Sequence, residues 1–218
     1  MPMSSPVVPP LCHAIGFFEN QQQLCVDIAG FVEEGLRLNQ PALVVTTDAH
    51  RDGIAGELRG LGVDVDAVSK AGDLMMLDAE ETLLVLMNGG QLPDSSIYHQ
   101  SVGSACERLL RGRPGPLRIF GDMVDVLWQR EQYDAAIRIE ILSNQLAATY
   151  PISVICGYSM GHFLKSASRL ETVTTLHGRL HRSKATLDGS EPQARAYVSA
   201  DRGPRSTRSA RKSGLGRT

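Results

Sequence analysis

The sequence predicts an α/β fold in which a mostly parallel sheet is covered by helices on both faces. Three observations lead there. Short continuous apolar runs recur along the chain: ALVVTT at 42–47, DLMML at 73–77, LRIF at 117–120 and ISVIC at 152–156. Such runs suit strands buried on both faces. Segments with apolar residues at helical spacing separate them, and this alternation calls for a parallel sheet with helical crossovers. Finally, 218 residues, 42% of them hydrophobic, suffice for one good-sized core.

Taken in order, residues 1–10 are a proline-rich lead and 11–18 (LCHAIGFF) a first buried strand. Asn20 is placed to cap a helix to Leu38, whose inward positions are Leu24, Ile28, Phe31, Val32 and Leu36. After Pro41 and strand 42–47, Asp48 is expected to cap a short helix that Gly62 breaks. The alternating VDVDAV at 63–68 predicts an exposed or edge strand. Strand 73–77 leads to Asp78 as the cap of a helix stopped by Gly89-Gly90. One helix is expected over 94–110, then a loop, RGRPGP, at 111–116. Strand 117–120 ends at Gly121-Asp122, with Asp122 as a further cap, before a helical turn carrying Val124, Leu127 and Trp128. A strong amphipathic helix spans 131–149, strand 152–156 follows Pro151, and a last helix is expected over 161–181. From Ser183 the chain is rich in Ser, Arg, Gly and Pro and is expected to be a disordered tail, leaving 11–182 as one domain.

The net charge of −2 conceals an asymmetry: residues 1–178 carry −9 and residues 179–218 carry +7. The tail's arginines suit weak, sequence-independent contact with nucleic acid, or equally a solvated terminus. The four cysteines form no CxxC pair, which fits a reduced, cytoplasmic protein. The lead lacks the charged and apolar regions of a signal peptide, and no run approaches the roughly 20 apolar residues of a membrane span, so no membrane partner is expected.

The ordered motifs resemble the MEDS domain, a sensory domain of methanogens, methylotrophs and the dichloromethane repressor. The likeness covers about 11–180. It rests on His13 with Phe17-Phe18, FVEEGL at 31–36, LVVTT with His50, Gly72-Asp73-Leu74 with Asp78-Ala79, FGDMVDVLW at 120–128, AAIRIEILSNQL at 135–146, ICGY at 155–158 and Leu176-His177. It implies a RecA-like three-layer sandwich that senses a small molecule, hydrocarbon derivatives among the classes, beside histidine kinases or DNA-binding domains. Where the family reads Gly-Glu-Met, this chain has Gly121-Asp122-Met123, an acid one methylene shorter. With no helix-turn-helix or kinase segment in this sequence, a separate histidine kinase or transcription regulator is the expected partner.

A RecA-like core raises the question of nucleotide hydrolysis. After the first strand the chain reads Glu19-Asn20-Gln21-Gln22-Gln23, with neither glycine nor lysine, and no GxxxxGK[ST] occurs. The phosphate cradle and its lysine are therefore missing, and neither an enzyme nor a cofactor is expected. Open α/β sheets bind ligands at the carboxyl ends of their strands. That rim offers Glu19, Thr46, Thr47, Asp48, Asp78, Asp122 and Tyr158. Glu140 and Asn144 share one helix face at i, i+4. The expected ligand-binding set is thus His13, Glu19, Thr47, Asp48, Asp78, Asp122, Glu140, Asn144 and Tyr158. Several have a plainer reading: Asp48, Asp78 and Asp122 as helix caps, Glu140 on a solvated face, and His13, like Cys156 outside the set, as core packing without a metal. GYSMG at 157–161 matches a nucleophile elbow and makes a serine hydrolase built on Ser159 the enzyme alternative.

Overall fold

The computed structural model describes residues 13–113, 115–163, 173, 175 and 179–181. The proline-rich lead and the basic tail lie outside the described residues.

Six parallel strands form one sheet in the order β3-β2-β4-β5-β1-β6. They are β1 (His13–Phe18), β2 (Ala42–Thr46), β3 (Leu74–Asp78), β4 (Leu117–Gly121), β5 (Ile152–Ser159) and β6 (Arg179–His181). The helices are α1 (Gln21–Arg37), α2 (Asp48–Gly60), α3 (Val65–Lys70), α4 (Ala79–Met87), α5 (Ser95–Tyr98), α6 (Ser104–Leu110), α7 (Met123–Gln129), α8 (Tyr133–Thr149) and α9 (Met160–Phe163). This is a three-layer α/β sandwich.

The period of two along each strand divides the sheet's side chains between two cores. On one face, α1, α2 and α3 pack Leu24, Ile28, Val32, Ile54, Leu58 and Val65 against Phe18, Val44, Phe120 and Ile155. On the other, α4, α6, α7 and α8 pack against Ile15, Val45, Ile119, Val154, Cys156 and Tyr158. His13 therefore shares the α8 face with Ile15 and Phe17, and with Cys156 and Tyr158 on the neighbouring strand.

Local chemistry accounts for the boundaries. Asn20, Asp64, Asp78 and Asp94 each accept a first-turn N–H three residues on. Gly62, with φ of +85°, ends α2 in a Schellman motif: Val63 N–H bonds to Leu58 O and Gly62 N–H to Arg59 O.

Several expectations are corrected. The segment 63–68 is no strand, because Asp64 caps α3 and only Val65 of that helix is buried. One good cap outweighs a short alternation that neighbouring strands do not pair with. Helix α4 does end at about Asn88, just before the glycines, with Asn88 itself as the left-handed cap at φ 43°. The single helix expected over 94–110 is interrupted by a π-helical segment, His99–Gly103, between α5 and α6. Arg179–His181 add a strand to β1 instead of ending a helix, because this edge offers β1 a hydrogen-bonding partner. Strand β5 runs on to Ser159, which pairs with Phe18.

Candidate functional site

The residues of the expected ligand-binding set, Glu19 apart, separate into three places.

The first is a buried centre between the sheet and α8. Register pairs His13 with Val154 and Ile15 with Cys156, so His13 and Cys156 are diagonal neighbours on one face. Glu140 and Asn144, one turn apart on α8, come down onto them. His13 Nε2 lies 3.1 Å from Glu140 Oε2 and 3.1 Å from Cys156 Sγ. His13 Nδ1 lies 3.0 Å from Asn144 Oδ1. The Tyr158 hydroxyl donates to Glu140 Oε1 at 2.7 Å. Glu140 is fully buried, and His13 and Cys156 nearly so, at 5% and 3% exposure. Glu140 is thus not on a solvated face, and the plainer reading of it fails: its neighbours Ala136 and Ile139 face the sheet and carry it inward. Burial, then the charge of Glu140, push both the Cys156 thiol and the Tyr158 phenol well above their usual range.

Beside this centre is a cavity of about 20 Å³, lined in part by Cys156, Ser143, Tyr98, Val102 and Val154. The Tyr98 hydroxyl and Ser143 Oγ are 3.1 Å apart. Tyr98 immediately precedes the π-helical segment and Val102 lies within it; such segments recur at functional sites.

The second place is Asp122, at the end of β4. It occupies the position before α7, yet its side chain caps nothing there. Instead Oδ2 accepts from the Thr46 hydroxyl at 2.5 Å and lies 2.7 Å from His50 Nδ1. The cap expectation is corrected, because Thr46 on β2 and His50 on α2 offer closer donors across the adjacent strand. Oδ1 is buried with no hydrogen-bond partner among the described residues.

The third place is an open groove of about 470 Å³ at the carboxyl ends of β2 and β3, lined by Thr47, Asp48, Ala49, Arg51, Asp78, Glu80 and Glu81. Here Thr47, not Asp48, stands at the cap position of α2, and Asp48 is the first helical residue, paired with Arg51. Asp78 caps α4 as expected, and the N–H of Glu81 holds its carboxyl below the usual range. Glu19 is exposed at the end of β1 and joins none of the three places.

Ser159 is the last residue of β5, with α9 directly after it. Its N–H donates to Asp125 Oδ1 at 3.0 Å, and His162 Nδ1 lies 3.4 Å from Asp125 Oδ2. Among the described residues, no hydrogen bond joins the Ser159 hydroxyl to a histidine. His177 lies outside them.

A family model described as the methanogen/methylotroph, DcmR sensory domain (MEDS) matches residues 12–178. The chain belongs to the MEDS family. It therefore carries a sensory domain. No curated protein matches the chain. Among the described residues of this MEDS domain, no helix is long and apolar enough to cross a membrane.

The expected ligand-binding set leaves out Cys156, His50 and Arg51, and leaves out Thr46 although that residue is read at the same rim as Asp122. A signal existed for Cys156: its spacing of two from Tyr158 puts both on one strand face. Thr46 and His50 meet Asp122 across separations of 76 and 72 residues, which no local pattern carries.

Proposed function

We propose that this MEDS domain is a sensory module that binds a small molecule in the groove at the carboxyl ends of β2 and β3, and passes the signal to a histidine kinase or transcription regulator. The groove carries the proposal. It lies where open α/β sheets bind ligands, and its volume falls in the range of small-molecule sites. Thr47, Asp48 and Asp78, three residues singled out by sequence, line it together. With Glu80 and Glu81, its four carboxylates against one arginine favour a ligand that donates hydrogen bonds or carries positive charge, such as a small amine.

The module acts by binding and release rather than turnover, in keeping with the missing phosphate cradle after β1. Asn20 occupies that position as a helix cap.

The test is thermal unfolding of the full chain against a panel of small amines, alcohols and short carboxylates. A ligand at 100 times its dissociation constant adds about 2.7 kcal/mol. The double variant Asp48→Asn, Glu81→Gln weakens that ligand at least tenfold. A ligand bound equally well by the double variant removes the groove as its site. A panel in which nothing raises the melting temperature counts against the reading as a whole.

A further inference from the structure

We propose that His13, Glu140 and Cys156 form a buried site for a divalent transition metal of the zinc class. The site shares no residue with the rim groove, and the proposal goes beyond the sensory reading.

The donor atoms converge. One nitrogen, one sulfur and one carboxylate oxygen lie within 4.8 Å of one another, all on buried residues. Zinc takes this kind of donor set, with bonds of about 2.0–2.3 Å, which at a tetrahedral centre place imidazole nitrogen and thiolate sulfur roughly 3.5 Å apart. The observed separations of 3.1 Å from Nε2 to both partners fall a few tenths of an ångström short of that. A small outward shift of side-chain atoms admits the ion.

The surrounding groups orient the donors as metal sites require. The amide oxygen of Asn144 can only accept, so His13 Nδ1 carries hydrogen and Nε2 is the atom left to face Glu140 and Cys156. The Tyr158 hydroxyl engages Oε1 of Glu140 and turns Oε2 toward the histidine. A histidine whose second nitrogen is tied down, beside a carboxylate whose second oxygen is tied down, is the outer-shell pattern of protein metal centres. Nε2, a carboxylate oxygen and a thiol sulfur meet there on buried residues. A metal ion bound there displaces the thiol proton, and any proton held between imidazole and carboxylate, to solvent, leaving imidazole, carboxylate and thiolate around a dication.

The void beside the centre touches Cys156 but neither His13 nor Glu140. The cavity of about 20 Å³ beside Cys156 and Ser143 accommodates one water-sized molecule. Three protein ligands with a small fourth is the arrangement of reactive rather than purely structural zinc sites.

The test uses the untagged full chain, stripped with chelator and loaded with cobalt(II) as a spectroscopic stand-in for zinc. The expected result is one equivalent bound, with a thiolate-to-cobalt charge-transfer band in the near ultraviolet and intense visible bands of a four-coordinate ion. Cys156→Ser, close in shape, loses the charge-transfer band and at least 100-fold in zinc affinity measured against a competing chelator. Asn144→Ala, which leaves all three ligands, loses 10- to 100-fold. Absence of stoichiometric binding by a folded wild-type chain overturns the proposal. So does a cobalt spectrum without the thiolate band, or zinc affinity unchanged in Cys156→Ser, either of which assigns the ion to surface histidines. Because the readout is metal itself, its failure leaves the groove reading untouched, and failure of the ligand panel leaves this one untouched.

Discussion

The Tyr158 hydroxyl donates a 2.7 Å hydrogen bond to Glu140 across the interface between β5 and α8, and neither side chain is exposed to solvent. A buried carboxylate persists only where donors replace its water. Trp128 packs edge-on to the Tyr158 ring at 5.5 Å, which fixes the direction of the hydroxyl. Tyr158→Phe keeps the ring and removes one donor to the acid, so the expected loss is about 1.5–3 kcal/mol. Urea unfolding monitored through Trp128 measures it, and an unchanged midpoint would show that Glu140 does not depend on this bond.

A second buried network holds the opposite face. Arg118, on β4, donates to Gln40 Oε1, Phe31 O and Glu34 Oε2, each at 2.8 Å, and its guanidinium lies 4.9 Å from the Phe31 ring centre. A Cβ at Gly35 would stand 2.5 Å from Arg118 Cδ. The guanidinium cannot yield, because all of these partners hold it. Gly35→Ala is therefore expected to destabilise by about 1–3 kcal/mol despite the better helix propensity of alanine. Gly56→Ala on α2, with open space at its Cβ, is expected to be neutral or stabilising. Equal effects at the two sites in a denaturant series would contradict the packing argument.

The cap of α4 gives a pH dependence with a definite sign. The Asp78 carboxyl is held below its usual value of 3.8, first by the N–H of Glu81. Its folded-state pKa thus lies below the unfolded one. Its contribution is fully present above the unfolded value and is lost as pH falls through the folded value. Asp78→Ala costs about 1 kcal/mol at pH 7, and the gap between variant and wild type closes in the acid range below 3.8. A gap that widens on acidification would reverse the sign and refute the assignment.

The described cysteines are expected to be slow thiols. Burial pushes Cys106 up to about 12 and raises Cys25 and Cys156 as well. Only the thiolate reacts, so in metal-free native protein at pH 8 iodoacetamide labels these three far more slowly than it does after unfolding. Mass spectrometry of the digested chain reads this out. Rapid native alkylation of Cys156 would show that the face beneath α8 opens to solvent.

Much of the fold was legible because its causes are local. Asn20 and Asp78 announce their caps, Gly62 its helix stop, and LVVTT and ISVIC their burial on both faces of a sheet. The π-helical insertion at His99–Gly103 was not legible, since apolar residues over 94–110 recur closely enough to satisfy one helix. VDVDAV misled for the opposite reason: a real alternation of side chains lost to a single capping carboxylate at Asp64.

By itself the sequence determined the alternation of strands and helices, the identity of the family and the chemical inventory: an acid at 140, a histidine at 13, a cysteine at 156. Tertiary structure alone decided which of these meet. Glu140 and Asn144 reach His13 only because α8 crosses the face on which β1 and β5 lie side by side in parallel register. Asp122 turns from α7 to Thr46 and His50 only because β4 lies beside β2. Strand order and register are set by the packing of the whole sheet, and no window of neighbouring residues contains them.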